Sequence, residues 1–205
     1  MAYNPKDYYF HKAKSENYAA RSAFKLEEMD QRFKLLKPGM QVLDLGAAPG
    51  SWSQHASRKL GKQGRVLGID LQAIKLNLPN AVFIQADLRD LSLQDTMKQH
   101  GFEPPFDVVM SDMAPKTTGI RLQDQIRSLE LCELALEIGN RYLKKGGTFI
   151  AKLFHSDEFE GFRSKIRKNF PKEALKLEQT SEQFERKRKL DLQQQLHHNA
   201  QEEEN

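Results

Sequence analysis

Five short apolar runs constrain this chain more than any other feature: Val42-Leu43-Asp44-Leu45, Val66-Leu67-Gly68-Ile69, Val82-Phe83-Ile84, Phe106-Asp107-Val108-Val109-Met110 and Thr148-Phe149-Ile150-Ala151. Each is brief, carries β-branched or aromatic side chains and has turn residues nearby, which predicts a buried strand. Between them Ser51 to Lys59, Leu91 to His100 and Ser128 to Leu143 read as helices, the last with Leu129, Cys132, Leu136 and Leu143 near helical spacing. Alternation of this kind predicts an α/β chain: a doubly wound, mostly parallel sheet with helices on both faces. A length of 205 residues suits one core of that type.

The chain before and after these runs is polar. Met1 to Lys37 is a helix-like lead-in that interleaves Tyr8, Tyr9, Phe10, Tyr18, Phe24 and Phe33 with Lys6, Lys12, Lys14, Arg21, Lys25 and Lys34, and Pro38-Gly39 ends it. From Gln193 the tail is glutamine-rich and closes on Glu202-Glu203-Glu204, which reads as solvent-exposed. The expected divisions are a helical lead-in over 1–37, a folded domain over 38–184 and a polar tail, helical then disordered, over 185–205. No apolar run approaches the roughly 20 residues of a membrane span, and Met1 to His11 lacks the apolar stretch of a signal peptide. Cys132 is the single cysteine, which excludes an intrachain disulfide and a Cys-built zinc site. A cytoplasmic protein with no metal and no membrane partner is expected. A net charge of +4 permits a nucleic-acid partner without demanding one.

In a doubly wound sheet, ligands bind outside the carboxyl ends of the strands. Asp44, Asp70, Asp87 and Asp112 fall in or just after the first four runs, and the fifth run leads into Lys152. One acid at a strand end is as easily a helix cap; a row of them along one rim points to a ligand. The loop Gly46-Ala47-Ala48-Pro49-Gly50-Ser51-Trp52-Ser53 lets a ligand approach the backbone, and Asp70 lies 24 residues beyond Gly46, the distance at which an acid reaches a ribose. A pyrophosphate is disfavoured, because Ala48 replaces the second glycine of Gly-x-Gly-x-x-Gly and Pro49 follows it. No Gly-Lys-Ser/Thr loop occurs either. A nucleoside ligand without phosphates remains, of which S-adenosylmethionine is the common one. Lys152 alternates onto one face with Thr148, Ile150 and Phe154, so it is expected to be partly buried and tuned towards a general base. The bland alternative is a strand-end lysine that snorkels to water.

Arg21-Ser22-Ala23-Phe24-Lys25-Leu26, Val42 to Gln54, Gly68-Ile69-Asp70-Leu71, Ser111-Asp112-Met113-Ala114-Pro115 through Arg121, and the run around Lys152 resemble the FtsJ family of S-adenosylmethionine-dependent ribose 2′-O-methyltransferases. The likeness runs from about Ala13 to Phe170. It implies a Rossmann-like methyltransferase fold, with S-adenosylmethionine as cofactor and the methyltransferase domain over 38–184. It also implies a Lys-Asp-Lys-Glu catalytic set, in which Lys25, Asp112 and Lys152 fill the first three places by motif position. Cofactor contacts carry over to Gly50, Trp52, Asp70, Asp87 and Asp112, beside Gly46 of the glycine loop. The family's usual bacterial substrate is a uridine of large-subunit ribosomal RNA. The implied partner is therefore ribosomal RNA within the large subunit; a monomer is expected.

The C-terminal part departs from the family. Glu182, in Ser181-Glu182-Gln183-Phe184, is the candidate for the fourth catalytic place; the alternative is that Ala174 to Leu177 is itself the sixth strand and Glu182 a loop residue. The following Glu185-Arg186-Lys187-Arg188-Lys189 cannot be a buried strand, so the family's final antiparallel strand is expected to be missing. For RNA contact, Lys12, Lys14 and Arg21 of the lead-in and Lys116 and Arg121 after Asp112 are the expected cations. Competing readings are a transfer-RNA methyltransferase, separable by the acceptor used, and a noncatalytic RNA-binding assembly factor, against which Lys25, Asp112 and Lys152 argue. A nicotinamide dehydrogenase is weakest, because of Ala48-Pro49.

Overall fold

The apolar runs become five strands: β1 (Gln41–Leu45), β2 (Arg65–Asp70), β3 (Ala81–Gln85), β4 (Phe106–Ser111) and β5 (Leu143–Ala151). They pair in the order β3-β2-β1-β4-β5, and each pairing is parallel. The structure, a computed structural model, describes residues 11–90, 92–153 and 159–169. Glu182, the predicted tail over 185–205 and the place of the final antiparallel strand lie outside the described residues. Helices α1 (Ala23–Phe33), α2 (Ser51–Leu60), α3 (Leu93–Gln99), α4 (Arg121–Tyr142) and α5 (Phe159–Asn169) surround the sheet, and residues 11–15 are also helical.

Side-chain alternation along the strands divides the core in two. Leu43, Leu45, Leu67, Ile69 and Val109 face α3 and α4, where Met97, Ala135, Ile138 and Tyr142 meet them. Val42, Val66, Val108, Met110 and Ile150 face the other way, onto Leu26 of α1 and Trp52, Ala56 and Leu60 of α2. Phe162 of α5 packs on Cys132 and Leu136 of α4. This is the predicted doubly wound sheet with helices on both faces. Within the lead-in, Tyr18 and Phe24 bury their rings edge to face, 5.5 Å apart, with Ala13 and Ala23.

Two elements begin earlier than their patterns predict. α4 starts at Arg121 instead of Ser128. Its first two turns carry no core stripe, because Leu122 and Ile126 are exposed. They are held instead by Asp124, whose carboxylate accepts the Thr118 amide at 2.8 Å and the Thr118 hydroxyl at 2.9 Å. β5 starts at Leu143, where Lys144-Lys145-Gly146-Gly147 reads as a turn. Phe106 pairs with Leu143 and Val108 with Thr148, so β5 bulges there, and Gly146 takes the positive φ of 76° that the bulge requires.

Candidate active site

The strand order reverses between β1 and β4, which opens a crevice at the carboxyl ends of the sheet. A cavity of about 640 Å³ lies there. Gly46, Asp70, Asp87, Asp112, Lys116 and Lys152 all line it, with Leu71, Leu88, Met113, Leu131 and Leu134 as its apolar wall. The chain folds locally to aim these groups inward. Gly46, directly after β1, has φ 71°, and a Cβ there would run into the Met113 side chain, so only glycine fits. Asp70 ends β2, and its carboxylate is steered by two amides, Ala48 N–H at 2.9 Å and Gln72 N–H at 2.7 Å. Each oxygen keeps a free lone pair for a hydroxyl. Asp87, beyond β3, accepts the Arg89 amide at 2.9 Å.

Asp112 and Lys152 meet at the neighbouring carboxyl ends of β4 and β5. Lys152 Nζ donates to Asp112 Oδ1 at 2.7 Å, and both side chains are largely buried, 28% and 16% exposed. The Lys152 amide continues the β4–β5 ladder by donating to Ser111 O at 3.0 Å. From the helical side the Cys132 thiol donates to the Lys152 carbonyl at 3.0 Å. Burial pushes that thiol up to about 12, which keeps it protonated as a donor. Lys152 is thus fixed at backbone and side chain, and does not snorkel free.

Asp44 does not join the row of acids. It is fully buried on the α2 face, where Ser53 Oγ donates to its Oδ2 at 2.6 Å, while Oδ1 has no partner. Burial pushes its carboxyl up to about 7; the Ser53 hydroxyl opposes this, and the charges of Asp112 and Asp70 add to it. Gly50 and Trp52 do not line the cavity either. Gly50, at φ 103°, caps α2, and the space a Cβ would need there is filled by Leu76. Trp52 is core: its ring packs among Leu26, Val42 and Ala56, and its indole N–H donates to Ser22 O at 3.0 Å.

Lys25 sits on α1 between the buried Phe24 and Leu26, and Leu26 shares a core cluster with Ile150, two residues before Lys152. α1 therefore lies on the sheet face to which Lys152 belongs, although Lys25 does not itself line the cavity. Of the other predicted cations, Lys14, Arg21 and Arg121 are exposed away from the cavity wall. Lys12 lies over the Phe24 ring at 4.5 Å and pairs with Glu16 at 3.7 Å.

Two groups escaped the sequence reading. Asp124 is buried and also receives the Gly119 amide at 3.3 Å; the Thr118 amide foremost holds its carboxyl below the usual range. Its signal was an acid in a helical first turn, four residues after Ile120. The second is a buried chain on α2. The Tyr18 hydroxyl donates to His55 Nδ1 at 3.2 Å, and His55 Nε2 donates to Asp30 Oδ2 at 3.2 Å. Burial holds the His55 imidazole below its ordinary value, against the pull of Asp30. Nothing in the local pattern Ser51 to Leu60 announces that burial.

A parallel sheet with a nucleoside-sized crevice at its switch point, acids at the strand ends and an aspartate–lysine pair is a Rossmann-like fold with a ligand site. The profile of the FtsJ-like methyltransferase family matches residues 18–183, and the chain belongs to that family. It is 65% identical over 181 residues to ribosomal RNA large subunit methyltransferase E of Bdellovibrio bacteriovorus, covering 88% of this chain and 92% of that one. It is 48% identical over 172 residues to the protein of the same name from Syntrophobacter fumaroxidans, covering 83% and 86%. Among solved structures, a protein assigned as a ribosomal RNA methyltransferase from Plasmodium falciparum superposes with a TM-score of 0.67 at 26% identity, over 74% of this chain and 86% of that one. Among the described residues, no helix is long and apolar enough to cross a membrane.

Proposed function

We propose that this protein transfers a methyl group from S-adenosylmethionine to the ribose 2′-oxygen of a uridine in large-subunit ribosomal RNA, late in subunit assembly. The observation that carries the reading is the Lys152–Asp112 pair at 2.7 Å inside the cavity. The match to relatives named for a ribosomal RNA large subunit supports the substrate.

The residues present fit the cofactor. Asp70 would accept from both ribose hydroxyls, Asp87 from the adenine amino group, and Leu71, Leu88 and Met113 offer an apolar wall for the base. Asp112 would put its negative charge near the positively charged methionine end. Bound there, S-adenosylmethionine would supply an electrophilic methyl on a sulfonium. Lys152 is the base that takes the proton of the 2′-hydroxyl as the oxygen attacks, and Asp112 holds Nζ in line for it. Lys25, carried in on α1, would hold the ribose oxygen or the adjoining phosphate. Glu182 fills the fourth place of the proposed set, and Gly46 and Gly50 shape the loop that the cofactor approaches. Trp52 acts from behind this loop, in the core. Lys12, Lys14, Arg21, Lys116 and Arg121 neutralise phosphates of the RNA.

Large ribosomal subunits lacking the modification and purified transfer RNA, offered as separate acceptors, test the reading. Nucleoside analysis should find 2′-O-methyluridine in the subunits and none in transfer RNA. Methylation of a base, or of transfer RNA alone, would overturn it.

A further inference from the structure

Among the described residues, four large apolar side chains are left exposed: Leu71, Ile120, Leu122 and Ile126. Leu71 lines the cavity itself and is absorbed by the cofactor reading. The other three lie on a single segment, the loop after Asp112 and the first two turns of α4, where nothing in the reaction as derived uses them. Exposures of 56%, 67% and 49% for Ile120, Leu122 and Ile126 leave most of each side chain in water. Scattered apolar residues on a surface need no explanation; three clustered beside an active site do.

The segment is built to hold them there. Leu122 and Ile126 stand one turn apart on the same helical face. The neighbouring stripe, Arg127, Glu130, Leu131 and Leu134, lines the cavity. Asp124, from the first turn, ties down the Thr118 and Gly119 amides and the Thr118 hydroxyl, so the loop is latched to the helix in one arrangement. The charge is one-sided. Between Ala114 and Arg127 the chain carries Lys116, Arg121 and Arg127 against the single acid Asp124, whose two oxygens are occupied by the latch. Lys116 and Arg127 line the cavity, so cations flank the apolar side chains on the side of the reacting groups.

We infer that Ile120, Leu122 and Ile126 form an apolar platform for the unstacked bases of the single-stranded RNA next to the methylated nucleotide, with Lys116, Arg121 and Arg127 on its phosphates. This rests on the proposed ribosomal RNA substrate and adds to it the way the strand is gripped. A nucleotide whose 2′-oxygen reaches Lys152 is covalently joined to its neighbours, which must leave the cavity over a rim. A rim that offers apolar surface between cations matches a strand of alternating base faces and phosphates. A duplex would hide those faces.

The test measures binding of the full-length protein to large subunits lacking the modification, and to their deproteinised RNA, across a salt series. The double variant L122S/I126S alters only exposed side chains, so its fold and its affinity for S-adenosylmethionine should match wild type. It should weaken RNA binding by about tenfold at every salt concentration and leave the salt slope unchanged, because no counterion is involved. Arg121→Ala should instead reduce the magnitude of the slope by about one. Unchanged RNA affinity in the double variant overturns the platform and leaves the methylation reading standing. A loss confined to intact subunits gives the rim to a ribosomal protein and overturns the RNA assignment. Wild type that binds the cofactor but neither RNA form would overturn both.

Discussion

Both faces of the sheet have an apolar core, but the one towards α1 and α2 adds a second layer of buried, hydrogen-bonded polar side chains. Towards α3 and α4 the contact is between Leu43, Leu45, Leu67, Ile69 and Val109 and the apolar sides of the helices, with Phe102 and Phe106 stacked below at 6.2 Å. Towards α1 and α2 every position from Ser51 to Ser57 is buried, and the polar ones are individually partnered. Ser51 meets Ser22, Ser53 meets Asp44, Gln54 takes the Ala19 amide, His55 bridges Tyr18 and Asp30, and Ser57 meets Asn80. Apolar packing rewards volume and tolerates repacking, whereas hydrogen bonds demand a particular arrangement. The face that needs one arrangement is the face that carries Lys25. The oily face only has to hold the cavity wall in place.

The largest effect belongs to the apolar face. Phe106→Ala should cost about 4 kcal/mol in denaturant unfolding, while Leu67→Met, which keeps the volume, should cost less than about 1.5 kcal/mol. If both cost the same, volume is not what that face reads. On the polar face, His55→Ala leaves Asp30 and Tyr18 without their shared partner, at a cost on the order of 2–3 kcal/mol. A cycle with Tyr18→Phe should then show coupling of about 1 kcal/mol; strict additivity would mean the chain of bonds does not act as a unit.

Asp44 sharpens the contrast through pH. Its carboxyl is pushed up to about 7 in the fold from an ordinary 3.8, so the folded state binds that proton more tightly than the unfolded chain. The stability it contributes is present at acid pH and lost as pH rises through about 7. His55 runs the opposite way: its lowered value means stability is lost as pH falls through the ordinary histidine range. The difference between wild type and Asp44→Asn cancels the histidine. Unfolding from pH 4 to 8 should therefore show wild type losing stability relative to the variant as pH rises; a constant difference would contradict the burial argument. The smallest effect is Ser22→Ala, about 1 kcal/mol in stability. It frees one tie between α1 and α2, so methyl transfer should slow while S-adenosylmethionine affinity holds, and equal losses in both would mean that Ser22 serves the cofactor loop instead.

What the sequence disclosed follows the same division. Strands such as Val66 to Ile69 were legible because a buried parallel strand is a short apolar run between turns, and Asp70, Asp87, Asp112 and Lys152 were legible because strand ends are where a crevice must form. α2 was legible as a helix and illegible as a buried one, since the partners of Gln54 and His55 lie more than twenty residues away in the lead-in. Trp52 and Asp44 were placed by motif and by strand position, which say nothing of the face a side chain takes. The first turns of α4 hid for the converse reason: Leu122 and Ile126 face water, so the periodicity that marks a packed helix starts only at Ser128.

The central claim is that Lys152, held by Asp112, removes the ribose proton. Tritiated S-adenosylmethionine, with large subunits lacking the modification as acceptor, tests it most directly when wild type and Lys152→Ala are run beside calorimetry of cofactor binding. Wild type should label ribose, and the variant should lose at least about a hundredfold of that activity while retaining cofactor affinity. Equal labelling by Lys152→Ala would contradict it.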